Sequence, residues 1–133
     1  LHFNTYGGNP VSMAAGLATL EVMQEENLQK RCLEIGGYLR DGLNSLMESH
    51  DIVGDVRGQG LMLGLEFVED RNTLAPNAAA TAQVHEAAKA HGLLLGKGGL
   101  HGNVLRIKPP MCITREDCDF AIDVLDRAIA GVS

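Results

Sequence analysis

Tryptophan is missing from this chain, and aromatic residues make up only 4% of its 133 positions. A core without large rings must be aliphatic, and the 45% apolar content supplies enough Leu, Val, Ile, Ala and Met for one domain. Positive charge is short: 11 Lys and Arg against 17 Asp and Glu leave a formal charge of −6. That balance argues against a nucleic-acid partner, which needs a basic face. No apolar run approaches the roughly 20 residues that span a bilayer, so no membrane partner is expected. Cysteines are few and odd in number, Cys32, Cys112 and Cys118, without metal-ligand spacing. A reducing compartment is the simpler reading. An initiating Met is also absent, since Leu1 opens the chain. A piece of a longer protein is therefore expected, and targeting signals cannot be sought in it.

What is present begins with a loop, His2-Phe3-Asn4-Thr5-Tyr6-Gly7-Gly8-Asn9-Pro10. Gly7 and Gly8 allow unusual backbone angles, Asn9 is a good N-cap, and Pro10 suits the first helical position. A loop with a hydroxyl and exposed N–H groups that leads into a helix suits an anion, a phosphate above all. An ordinary capped helix start is the plainer alternative.

The first helix is expected from Pro10 to about Gln24. Val11, Ala14, Ala15, Ala18 and Val22 line one side, with Met13, Leu17 and Leu20 on others. A helix apolar nearly all round is expected to be buried nearly all round, against a further domain or a partner subunit. The second helix carries Leu28, Cys32, Ile35, Leu39, Leu43 and Leu46 on one stripe and ends near His50. Residues 52–68 read as strands, with Leu61, Leu63, Leu65 and Phe67 alternating against Met62, Gly64, Glu66 and Val68. After a polar loop, a third helix runs from Ala78 to His91 and closes at Gly92. Leu93-Leu94-Leu95 reads as a short strand and residues 96–103 as a glycine-rich loop. Val104–Lys108 is a strand stopped by Pro109-Pro110. Thr114, with Asp117 three residues on, opens a last helix whose stripe is Cys118, Ile122, Leu125 and Ile129. The order predicts an α/β, or α+β-like, small domain: an antiparallel or mixed sheet covered by helices.

Most candidate chemical sites fail on context. Gly58-Gln59-Gly60 and Gly64 open a strand, whereas a dinucleotide fingerprint opens a helix. His2, His50, His85, His91 and His101 show no zinc-like pairing, so no metal is expected. The four lysines, Lys30, Lys89, Lys97 and Lys108, lie among charges or in loops, and none is placed in a desolvated pocket as a covalent-catalysis lysine would be. Arg57 reads as a solvated strand-end residue or a contact to another segment. Arg106 stands out, because alternation sets Val104, Arg106 and Lys108 opposite Leu105 and Ile107. A guanidinium on a rigid strand makes a bidentate clamp for a carboxylate, with a surface ion pair as the plainer alternative.

Three segments together resemble the C-terminal part of the class-III pyridoxal-phosphate-dependent aminotransferases. They are residues 2–10, Gly54-Asp-Val-Arg-Gly-Gln-Gly-Leu-Met62 and Leu105-Arg-Ile-Lys-Pro-Pro-Met-Cys-Ile113. Within that family the likeness points to alanine–glyoxylate aminotransferases of the mitochondrial type and their phospho-lyase relatives. The resemblance implies a fold-type-I homodimer, with residues 1–10 leading from a large domain and 11–133 forming the small domain. It implies that Thr5, with help from Asn4, binds the phosphate of pyridoxal 5′-phosphate held by the neighbouring subunit. It implies that Arg106 grips the substrate α-carboxylate. The lysine that bonds the cofactor belongs upstream in the family, so no catalytic residue is expected in this chain, and alone it should be inactive. The implied substrates are an alanine-like amino acid and a glyoxylate- or pyruvate-like 2-oxo acid. A phospho-lyase acting on a phosphorylated amine, or an ornithine- or 4-aminobutyrate-type aminotransferase, is the alternative. Arg106 favours a carboxylate substrate, while the loop Gly99–Val104 leans toward the lyase branch. The implied compartment is the cytoplasm in a bacterium or the mitochondrial matrix in a eukaryote.

Overall fold

The computed structural model describes residues 4–132; His2 and Phe3 of the opening motif lie outside the described residues. Its elements are α1 (Pro10–Glu25), α2 (Leu28–Ser49), β1 (Val53–Gln59), β2 (Met62–Phe67), α3 (Ala78–Ala90), β3 (Gly96–Gly98), β4 (Val104–Ile107) and α4 (Arg115–Ala130). The four strands form one antiparallel sheet in the order β1-β2-β4-β3. The expected α/β domain with a small sheet is therefore present.

Helix ends follow their capping chemistry. Asn9 accepts from the Ser12 N–H, and Pro10 takes the first helical position of α1. Thr114 and Asp117 form a full capping box at α4, with the Asp117 N–H donating to Thr114 Oγ1 at 3.2 Å and the Thr114 N–H to Asp117 Oδ2 at 3.0 Å. The Thr114 N–H, and then the Thr114 hydroxyl donating to the same Oδ2 at 3.0 Å, hold the Asp117 carboxyl below its ordinary range. Strands β1 and β2 turn through Gly60 and Leu61. Gly60 sits at φ +55°, the left-handed backbone that a two-residue hairpin needs at its first central position.

One face of the sheet carries the core. Val53, Leu63, Leu65, Phe67, Leu105 and Ile107 meet Leu39, Leu43 and Leu46 of α2, Val84 of α3, and Cys118, Leu125 and Ile129 of α4. Burial pushes the Cys118 thiol up and keeps it protonated. Gly36 of α2 lies directly on the β1–β2 turn. A Cβ there would stand 2.2 Å from the carbonyl carbon and oxygen of Gly60.

One expectation needs correction. Leu93-Leu94-Leu95 is not a strand; the strand is Gly96-Lys97-Gly98. The leucine triplet's backbone is already engaged by α3. The Leu93 N–H donates to the Ala88 carbonyl at 2.9 Å, and His85 Nε2 lies 3.0 Å from the Leu95 carbonyl. Pairing with β4 begins only beyond Leu95. Helix α1 has no buried residue within this chain's described residues. Val11, Met13, Leu17 and Leu20 are all more than half exposed. The apolar surface is as expected, and no described residue buries it.

Candidate functional site

The face of the sheet away from the core is read from its register. Arg57, Gly64, Arg106 and Gly96 lie opposite one another across β1, β2, β4 and β3. The next row is Asp55, Glu66, Val104 and Gly98. Paired residues share a face, so both arginines stand on the same side, two strands or about 10 Å apart.

Their electrostatic situations differ. Arg57 bonds Asp55 at 2.6 Å and also pairs with Glu66. Those carboxylates, Asp55 first, hold the Arg57 guanidinium above its ordinary value. Glu66 is also bonded by Asn103 Nδ2 at 3.2 Å. Both acids of this row are therefore committed to partners other than Arg106. Among the described residues the Arg106 guanidinium makes no hydrogen bond or ion pair, and the side chain is exposed. So Arg57 is neither a merely solvated strand end nor unpaired, and Arg106 is not the surface ion pair that its chemistry alone suggested. Its alternation is as expected: Leu105 and Ile107 are buried behind it.

The Arg106 side chain lies over bare backbone. A Cβ at Gly98 would sit 3.1 Å from its Cδ and Nε, and one at Gly96 would sit 3.3 Å from its Nε. Arg106 also borders a mostly apolar cleft of about 520 Å³ that includes Leu94, Lys108, Pro110 and Phe120. The glycine pair and the Asp55–Arg57–Glu66 network escaped the sequence reading, because both depend on strand register. Two glycines two apart were the visible signal.

The opening loop is held by its asparagines. Asn4 Oδ1 accepts from the Tyr6 and Gly7 N–H groups at 3.2 and 3.1 Å. Asn9 Nδ2 donates to the Tyr6 carbonyl at 2.9 Å and to Ser12 Oγ at 3.0 Å. Gly8 completes the turn at φ +75°. Thr5 is exposed between these fixed points, and no described residue bonds its hydroxyl. The loop and Arg106 are separate features, at the start of α1 and on β4.

Several other polar groups have structural partners. His50 meets Asp126 at 2.6 Å, and Lys30 and Lys89 pair with Glu34 and Glu86. All four lysines are exposed. No group of three or more His, Cys, Asp or Glu side chains is placed to hold a metal among the described residues. Loop 99–103, read from sequence as a branch signature, is anchored by buried Asn103, whose Nδ2 also donates to the Phe67 carbonyl at 3.0 Å. No described helix is long and apolar enough to cross a membrane.

Comparison with known proteins places these features in a family. The family described as Aminotransferase class-III matches residues 1–129. The chain is 48% identical over 129 residues to the mitochondrial alanine–glyoxylate aminotransferase 2 homolog 2 of Arabidopsis thaliana, covering 97% of this chain and 27% of that protein. Its structure superposes on a Bacillus anthracis aminotransferase with a TM-score of 0.92 at 37% identity, over 98% of this chain and 30% of that one. A phospholyase from Arthrobacter, solved with phosphoethanolamine, gives 0.91 at 37% identity, over 97% and 31%. The chain thus spans 27–31% of the length of these relatives. On the family match and these likenesses together, the chain belongs to the class-III aminotransferases.

Proposed function

We propose that the full-length protein is a transaminase that moves an amino group between an alanine-like amino acid and a glyoxylate- or pyruvate-like 2-oxo acid. The carrying observation is the Arg106 guanidinium, exposed on a rigid strand and unpaired among the described residues while Arg57 and Asn103 occupy the nearby acids. A bidentate carboxylate is the natural partner for such a group. Arg106 binds and orients the substrate through its α-carboxylate.

Pyridoxal 5′-phosphate is the cofactor that class-III membership implies, and bound to the protein it supplies an electron sink at the carbon that bears the amino group. The residues here fit part of its phosphate anchor. Thr5 offers a hydroxyl donor on a loop pinned by Asn4 and Asn9, and its partner would be the cofactor of a second subunit. The exposed lysines do not fit the role of the covalent lysine, which this reading places in a large domain preceding Thr5. Residues 1–10 then form the connection to that domain and 11–133 the small domain. The uncovered apolar surface of α1 supports a homodimer, with that helix packed against the large domain or the second subunit. The compartment in this reading is the mitochondrial matrix in a eukaryote and the cytoplasm in a bacterium.

A second reading, a lyase releasing phosphate from a phosphorylated amine, is favoured by the structural likeness to the Arthrobacter phospholyase. The two separate in one assay of the full-length protein. With alanine and glyoxylate, the first reading expects pyruvate and glycine in equal amounts. With phosphoethanolamine it expects no phosphate release. Phosphate release without amino transfer would replace it by the second.

A further inference from the structure

Resting on that reading of Arg106, we propose that Gly96 and Gly98 form a track that positions its guanidinium and so sets how strongly the site prefers substrates bearing a carboxylate. Glycine weakens a strand interior and often marks a close approach. Strand β3 contains glycine at two of its three positions. Neither has the left-handed backbone that would require glycine, since φ is not positive at 96 or 98. The reason for glycine is space on the open face. A Cβ at 98 would meet Arg106 Cδ and Nε at 3.1 Å. At 96 it would meet Nε at 3.3 Å, and Cβ and Nη2 at 3.4 Å. The intervening Lys97 pairs with Leu105 and faces the other way.

Both approaches are tighter than ordinary contact, and in both the crowded atoms belong to Arg106. For Gly98 those atoms lie in the outer part of a flexible side chain. The backbone of β3 need not move. An added methyl therefore shifts the guanidinium by a few tenths of an ångström and leaves the fold intact. A planar fork that must meet two carboxylate oxygens at once is sensitive to such a shift. Gly96 and Gly98 are positioning residues in this account, acting through Arg106.

The experiment uses the full-length enzyme with its cofactor and five forms: wild type, Gly96→Ala, Gly98→Ala, Arg106→Lys and the Gly98→Ala/Arg106→Lys double variant. Alanine and ethylamine serve as the matched pair, and the dissociation constant of propionate reports carboxylate binding without turnover. Gly98→Ala is expected to lower the alanine-to-ethylamine ratio of kcat/KM and weaken propionate by about five- to twentyfold, since sub-ångström misplacement of a binding group is costly. Its thermal midpoint should stay within about 2 °C of wild type, because no packed group is displaced. In the Arg106→Lys background the same substitution should cost nothing further, the mark of one residue acting through the other. An unchanged ratio for Gly98→Ala beside a lowered one for Arg106→Lys overturns the track while leaving the clamp standing. Additive losses in the double variant overturn it as well. An unfolded Gly98→Ala, if Gly96→Ala folds and keeps the wild-type ratio, does the same. If Arg106→Lys itself keeps the ratio, the clamp fails and the track falls with it.

Discussion

Gly36 and Gly37 are neighbours in α2, yet alanine at each should move stability in opposite directions. A Cβ at Gly37 would meet nothing within 4 Å, whereas at Gly36 it would stand 2.2 Å from the Gly60 carbonyl group and 2.7 Å from its Cα. Alanine in a helix interior is worth roughly 0.5–1 kcal/mol over glycine, so Gly37→Ala should stabilise by about that amount. Gly36→Ala gains the same propensity term but must push the helix off the hairpin. The atoms in the way are backbone, held by the β1–β2 ladder, so they cannot rotate aside. Overpacking of that kind costs typically 1–3 kcal/mol and sometimes more, which leaves a net loss of about 1–2 kcal/mol. Between the two variants the gap is then about 1.5–3 kcal/mol. With a urea dependence of about 1–3 kcal/mol per molar, the midpoints should differ by roughly 0.5 M or more. Equilibrium urea unfolding of the two variants and wild type, followed by circular dichroism, measures it. A Gly36→Ala midpoint at or above wild type would refute the close approach of α2 to the Gly60 turn.

Two further outcomes follow from the site and the caps. Thr5→Val in the full-length protein should raise the dissociation constant of pyridoxal phosphate about tenfold or more, from loss of a charge-assisted bond of roughly 1.5–3 kcal/mol; an unchanged constant by fluorescence titration would reduce Thr5 to a loop residue. Asp117→Asn should destabilise the protein near neutral pH and cease to matter in acid. The folded pKa of Asp117 is depressed by its bonds to Thr114, so its charge contributes stability above the ordinary carboxylate pKa of about 4, lost as pH falls through the folded value. Urea midpoints of wild type and variant should converge as pH falls through the depressed folded pKa of Asp117, and a gap independent of pH would show that the charge is immaterial.

Local chemistry was legible in the sequence. Asn9 with Pro10, and Thr114 with Asp117, announced helix starts that the structure shows with their hydrogen bonds. Leu63, Leu65 and Phe67 announced a half-buried strand by alternation, and all three are buried. Features that depend on partners distant in sequence were not legible. Gly96-Lys97-Gly98 has little strand propensity of its own and is a strand because β4 offers its edge. The leucine triplet before it has the composition of a strand, but its backbone bonds are engaged by α3. The pattern of α1 fixed its character and not its surroundings, since burial needs a partner that these residues do not supply. For Arg106, alternation told which way it points. Its freedom from neighbouring acids could not be read, because that rests on Arg57 and Asn103 meeting Glu66 across strands.

The claim that Arg106 binds the substrate carboxylate is tested most directly by steady-state kinetics of Arg106→Lys in the full-length enzyme on alanine and ethylamine. Lysine keeps the charge and loses the planar fork. The account predicts a fall in kcat/KM for alanine of roughly tenfold to a few hundredfold, corresponding to about 1.5–3 kcal/mol of charge-assisted bonding, with ethylamine nearly unaffected. An equal fall for both substrates, or no fall for either, would contradict it.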